Sequence, residues 1–250
     1  ISRLENLSRV QQRFVSDVSH ELRTPLTTIR MAADVIHTSR DQFDPAVARS
    51  AELLLSQIER FEALLADLLE VSRFDAKVAT VNMTKVEMVA TVRRCIEELS
   101  YVAKEKGSEI RLHSIEGDVT VDGDQLRIER ILRNLLTNAI DHAENKPIDV
   151  MILANESAVS VGVRDYGVGL TERQIPRVFD RFWRADPSRS RIRGGTGLGL
   201  SIAKEDAALH GGQIDVWGEI GIGSNFVLTL PRQFGVNIQQ TPITAIPTTS

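Results

Sequence analysis

The sequence predicts an α+β protein in two parts: an N-terminal helical hairpin that pairs with a second copy as a four-helix bundle, then an α/β sandwich of about 150 residues. Three observations predict it. Apolar residues recur every three or four positions through residues 1–75. Short β-like runs then alternate with helical stretches. A long irregular segment rich in Gly and Arg interrupts the second part.

Residues 2–39 read as one long helix, with Leu4, Leu7, Val10, Phe14, Val18 and Leu22 on a single stripe. Residues 39–45 break it with Asp41, Asp44 and Pro45. A second helix follows to about residue 74, where Ala51, Leu54, Ile58, Phe61, Leu65 and Leu68 step by three and four residues in turn, a heptad seam. One antiparallel hairpin covers its own stripe poorly, whereas two side by side bury both. The alternative is a hairpin folded onto the rest of its own chain.

After Asp75 the pattern changes. Residues 81–83 are β-like, 87–106 are helical and closed by Gly107, and 109–114 and 118–121 are short strands. Residues 124–143 form a strong helix, its apolar face carrying Leu126, Ile128, Ile131, Leu132, Leu135, Leu136 and Ala139. Strands are expected at 147–153 and 158–164, a helix at 198–210, and a strand pair at 213–217 and 225–230 around a glycine turn. The irregular stretch 165–199 is too long for an ordinary connection and reads as a lid or binding loop. Residues 233–250, rich in Thr, Gln and Pro without periodicity, are expected to be disordered. The domain assignment is therefore 1–75, 76–232 and a tail, 233–250.

Composition removes several function classes. Thirty Lys and Arg against 34 Asp and Glu give a formal charge of −4, which offers no global attraction to nucleic acid. The single cysteine, Cys95, excludes an internal disulfide framework and reads as a small core residue. No apolar run approaches the roughly 18 residues that cross a bilayer, and no signal peptide is evident. Opening with Ile1, the chain is expected to be a piece of a longer one.

The chemistry begins at His20, which is offset by two residues from both Val18 and Leu22 and so lies off the apolar stripe. Pro25 removes a helical hydrogen bond one turn further on. The run Ser19-His20-Glu21-Leu22-Arg23-Thr24-Pro25-Leu26 closely resembles the phosphoacceptor box of bacterial sensor histidine kinases. Four later segments resemble that family's boxes in the expected order. Asn134-Leu135-Leu136-Thr137-Asn138-Ala139 is similar to the asparagine box, and Asp165-Tyr166-Gly167-Val168-Gly169 to the first glycine box. Phe179-Asp180-Arg181-Phe182 is similar to the aromatic box before the lid, and Gly194-Gly195-Thr196-Gly197-Leu198-Gly199-Leu200 to the second glycine box. A dinucleotide loop is excluded because no βαβ unit surrounds the glycines, and a Walker loop because no GKS or GKT is present.

The resemblance, over about residues 1–232, implies a catalytic sandwich of the GHKL type that binds ATP and Mg²⁺. It implies that His20 is the phosphoacceptor and Glu21 its adjacent acid, and that Glu21 with Thr24 forms a phosphatase signature. Nucleotide binding is assigned to Asn134, Asn138, His142, Asp165, Gly167, Gly169, Phe182, Arg184, Gly195, Thr196, Gly197, Leu198 and Gly199, with Asn138 the direct Mg²⁺ ligand. Partners are a second copy, as a homodimer, and the receiver domain of a response regulator; no nucleic acid is expected. The expected location is the cytoplasmic side of a bacterial membrane, reached only through segments absent from this chain.

One position departs from the family. Asp141 stands where a Lys or Arg usually contacts phosphate, so Asp141 is expected to point away or pair with lid cations, and one or more of Arg184, Arg189, Arg191 and Arg193 to take its place. Two other readings stay open: a nucleotide-binding module that docks partners without transferring phosphate, and an ATPase or serine kinase on the same nucleotide fold.

Overall fold

The computed structural model describes residues 25–39, 42–77, 79–114, 117, 119–185 and 196–247. Two compact units divide the chain, Ile1–Thr80 and Val81–Ser250.

In the first unit, helix α1 (25–38) and helix α2 (Pro45–Asp75) form a hairpin. Asp44 caps α2 by accepting the N–H groups of Ala46 and Val47 at 2.9 and 3.2 Å, and Pro45, with no N–H to leave unsatisfied, fills the first turn. Leu26, Ala33 and Ile58, with Leu55 and Leu65 against them, form the hairpin's core. Arg30 and Glu62 join the helices by an ion pair of 2.6 Å. The heptad seam divides. Ala51 and Ile58 are buried, whereas Leu54, Phe61 and Leu68, seven residues apart, remain 45, 52 and 48% exposed.

The second unit contains strand β1 (Thr84–Glu87), helix α3 (Met88–Glu105), strands β2 (Ile110–Ser114) and β3 (Thr120–Gly123), and helix α4 (Gln125–His142). Strands β4 (Ile148–Ala154) and β5 (Ala158–Asp165), helix α5 (Gly199–Leu209), and strands β6 (Gln213–Glu219) and β7 (Gly223–Pro231) complete it. β1 and β3 form a small antiparallel pair. The main sheet runs β2-β4-β5-β7-β6, parallel between β2 and β4 and antiparallel elsewhere. Alternation places Val159, Val161 and Val163 of β5 and Phe226, Leu228 and Leu230 of β7 on one face, where they meet α3, α4 and α5 in a single core. Cys95 lies in it fully buried, and desolvation pushes its thiol up to about 11.

Three details differ from the sequence reading. The first strand is Thr84–Glu87 rather than 81–83, because pairing of Val86 with Val121 sets its register. Leu126 is 75% exposed rather than part of the α4 stripe, since two residues of helix turn it about 200° away from Ile128. Residues 233–247, expected to be disordered, lie against the sheet. The carbonyls of Gln240 and Ala245 each accept a side-chain N–H, from Asn155 and Asn225 respectively, at 2.8 Å. Hydrophobic periodicity was silent here because the segment is held by hydrogen bonds to its backbone.

Asp124 caps α4, accepting the N–H groups of Leu126 and Arg127 at 3.1 and 3.2 Å and that of Asn82 at 2.9 Å. Burial alone would raise its carboxyl, but these donors and the Arg127 charge hold it below the ordinary 3.8. A depressed carboxylate contributes stability above its unfolded value and loses it as pH falls through the folded one. Urea midpoints measured across that acid range should therefore fall more steeply for the parent chain than for Asp124→Asn.

Candidate functional site

Helix α4 has two faces with different tasks. Ile128, Ile131, Leu132, Leu135 and Ala139 are buried under the sheet. That burial fixes the helix's rotation, and Asn134, Asn138 and His142, four residues apart, come together on another face. Asn134 and Asn138 are half-buried and His142 is exposed. Asp141 turns aside and pairs with Lys106 at the end of α3, so its carboxylate is drawn away from the asparagine face.

Both glycine segments lean on this helix. At the end of β5, buried Asp165 accepts the Gly167 N–H at 2.9 Å through one oxygen and the Ser224 hydroxyl through the other. The next turn touches α4's last turn: Val168 N–H donates to the His142 carbonyl at 3.2 Å. A Cβ on Gly167 would fall 1.7 Å from that same oxygen, so glycine is required for protein packing there. Gly169 is packed as closely, against the Glu219 carbonyl.

The second segment meets α4 at Asn134. A Cβ on Gly199, the first residue of α5, would lie 2.9 Å from the Asn134 Oδ1. Leu198 is fully buried, and the Thr196 hydroxyl accepts its N–H at 3.2 Å. No side chain caps α5 among the described residues, so its first amide groups and dipole face outward. Gly197 has φ +75 and its carbonyl accepts the Phe182 N–H at 2.9 Å. Phe182 also has positive φ and is 57% exposed, while Phe179 packs edge-on against Phe226 in the core. Arg184 is half-buried.

The site thus has a buried carboxylate at one end and an uncapped helix N-terminus at the other, spanned by the asparagine face of α4. His20, Glu21, Thr24 and Gly195 lie outside the described residues, as do Arg189, Arg191 and Arg193.

Sequence reasoning missed Ser224, which a glycine-rich turn gave no reason to place beside Asp165, and a clamp behind the site. Asp206 of α5 is fully buried and accepts from Arg127 at 2.7 Å and from two nitrogens of Arg130 at 2.7 Å each. His210 Nε2 accepts the Asp124 N–H at 2.9 Å, which places its proton on Nδ1, donated to the Asp206 carbonyl at 2.7 Å. These bonds join α4 to α5 at the end away from Asn138. The available signal was a carboxylate in phase with Ile202 and Ala203 on the buried side of α5.

Comparison with known proteins gives the family. Residues 10–77 match the His Kinase A (phospho-acceptor) domain, and residues 123–233 match the histidine kinase-, DNA gyrase B-, and HSP90-like ATPase. Sensor histidine kinase MtrB of Mycolicibacterium paratuberculosis is 51% identical over 243 residues, covering 97% of this chain and 43% of the relative. WalK of Bacillus subtilis is 34% identical, covering 92% of this chain and 38% of the relative. The chain therefore spans less than half the length of these relatives. Full-length ShkA, solved in complex with AMPPNP, superposes with a TM-score of 0.76 at 27% identity, covering 88% of this chain and 45% of that one. Histidine kinase AdeS of Acinetobacter baumannii shares the fold, with a TM-score of 0.63 at 22% identity over 85% of this chain and 98% of that one.

The clamp yields a stability test. Asp206→Ala strips two arginines of their buried carboxylate and should cost about 3–5 kcal/mol in urea unfolding, with Asp206→Asn intermediate.

Proposed function

This chain belongs to the sensor histidine kinases of bacterial two-component systems, and on that premise we propose that it binds ATP along α4, transfers the γ-phosphoryl group to His20, and passes it to an aspartate in a response-regulator receiver domain. The observation that carries the reading is the placement of Asn134, Asn138 and His142 between Asp165 and the start of α5. From Asn134 to His142 the helix rises about 12 Å, a length suited to an extended nucleotide. Asp165 accepts from the adenine amino group, its geometry held by Ser224 and the Gly167 N–H. The phosphates meet the first amides of α5, whose dipole favours an anion. Phe182 borders the lid.

Magnesium fits this donor set as a companion of the nucleotide. Among the described residues no group of three His, Cys, Asp or Glu side chains could hold a metal alone. Asn138 offers a neutral amide oxygen, the hard donor that Mg²⁺ takes alongside phosphate oxygens and water. The metal supplies charge neutralisation on the phosphates.

In the transfer, a neutral His20 ring nitrogen attacks the γ-phosphorus, the bond to the bridging oxygen breaks, and ADP leaves with that electron pair. Imidazole is largely neutral near pH 7 and needs no strong base. Glu21 accepts the other ring N–H, fixes the tautomer and stabilises the cationic ring as the bond forms. Arg184 and the lid arginines supply the cation that Asp141 does not. Thr24, with Glu21, would orient water against a phosphorylated partner.

The exposed Leu54, Phe61 and Leu68 stripe supports a homodimer in which two hairpins make a four-helix bundle. No helix among the described residues is long and apolar enough to cross a membrane.

Incubation with γ-labelled ATP and Mg²⁺ should label the parent chain in acid-labile form and leave His20→Gln unlabelled. Acid-stable label, or equal label on both chains, overturns the reading. Phe61→Glu places a charge on each side of the proposed seam, and light scattering should find a monomer where the parent is a dimer.

A further inference from the structure

The outer face of the main sheet, opposite the helices, is buried at its centre without a helix upon it. Ser160, Gly162 and Arg164 of β5 pair there with Thr229, Val227 and Asn225 of β7. Ser160, Val227 and Thr229 are fully buried and Asn225 is 7% exposed. The segment after β7 supplies that cover. Arg232 is tied to the turn before β5, its N–H donating to the Ser157 carbonyl at 3.0 Å. The chain then returns over the sheet. Asn155 holds the Gln240 carbonyl, Ile243 Cδ1 lies over Gly162, 3.7 Å from where a Cβ would stand, and Asn225 holds the Ala245 carbonyl. The contacts advance in the same order along the segment and along β5.

This cover differs from a sheet extension. Pro242 and Pro247 have no N–H to donate, and the two clamps are side-chain amides reading main-chain oxygens. Such clamps are indifferent to side-chain identity, so selectivity falls to the Gly162 position, which gives room to one branched aliphatic side chain. Residues 236–250 carry no charged side chain to desolvate. The floor is equally distinctive. Val227 is the one fully buried apolar side chain set among Ser160, Asn225 and Thr229. Ser160 and Thr229 share a side-chain hydrogen bond of 2.8 Å within the floor, and the Asn225 amide, once its Ala245 partner leaves, can meet water. An inner-face surface of valine and leucine has no such option.

We propose that the outer face of the sheet is a docking groove for an extended, uncharged peptide with a branched aliphatic anchor, and that its occupant is the chain's own segment 240–247, held as a releasable strap. The inference rests on the fold of the second unit and is independent of the proposed phosphoryl transfer. A tethered segment enjoys an effective concentration of about millimolar, so the intact chain excludes the same peptide offered in solution.

The test uses a fluorescein-labelled synthetic peptide of residues 236–250, read by anisotropy without nucleotide. A chain ended after Phe234 should bind it saturably, and the parent chain should not. Asn225→Ala in the shortened chain, or Ile243→Asp in the peptide, should weaken binding at least tenfold. Failure of a folded shortened chain to bind, or equal binding by the parent, overturns the proposal. Should the shortened chain not fold, the full-length Ile243→Asp variant decides. Uptake of the parent peptide with faster hydrogen exchange across residues 158–164 supports the strap; no uptake with unchanged exchange overturns it.

Discussion

The rotation of α4 about its own axis is the constraint on which the rest of the catalytic unit depends. Burial of Ile128, Ile131, Leu132, Leu135 and Ala139 under the sheet leaves the helix one way to lie, at roughly 1.5–3 kcal/mol for each large side chain withdrawn from water. The Asn134–Asn138–His142 row follows from that rotation, as does the His142 carbonyl on which the first glycine segment rests. Helix α5 is then docked through Gly199 near one end and the Asp206–Arg130 bonds near the other. The packing of the core and the direction of the polar row are thus settled by one helix, and the row needs no separate device to aim it.

Much of this was legible in the sequence. The heptad in 51–68, the stripe of α4 and the alternation of β5 are periodic, and periodicity survives without coordinates. The asparagine and glycine boxes were legible because their residue types are unusual where they fall, two amides in mid-helix and glycines flanking an acid. What was illegible depends on contacts between distant residues. Ser224 reaches Asp165 only because β5 and β7 pair in that register. Asp206 drew no reading from the sequence, because its partners Arg127 and Arg130 lie some 76 to 79 residues away on α4. The roles of the glycines shifted too: Gly167 and Gly169 are required by neighbouring carbonyls, so their presence reports on packing before it reports on a ligand.

The two units answer their uncovered surface differently. In the hairpin, half of an apolar seam is left facing water in a single copy, the surface that the proposed homodimer would cover. In the sandwich, the open side of a five-stranded sheet is covered by the chain itself. The difference follows from the lining. Leucine and phenylalanine at heptad spacing present a continuous apolar stripe, whereas the outer-face floor sets Val227 among Ser160, Gly162, Asn225 and Thr229. Asn225 of that floor directly follows Ser224, so the strap and the Asp165 carboxylate are anchored to consecutive residues whose side chains leave opposite faces of β7.

The burial of Cys95 has a practical consequence. Thiol-reactive probes attack the thiolate, and a fully enclosed sulfur with its titration pushed up to about 11 presents almost none at neutral pH. The chain holds no other cysteine, so it is already a silent background for spectroscopic labelling. A single cysteine introduced on the strap, the lid or the exposed hairpin seam would carry a fluorophore or spin label alone, with the native core left untouched.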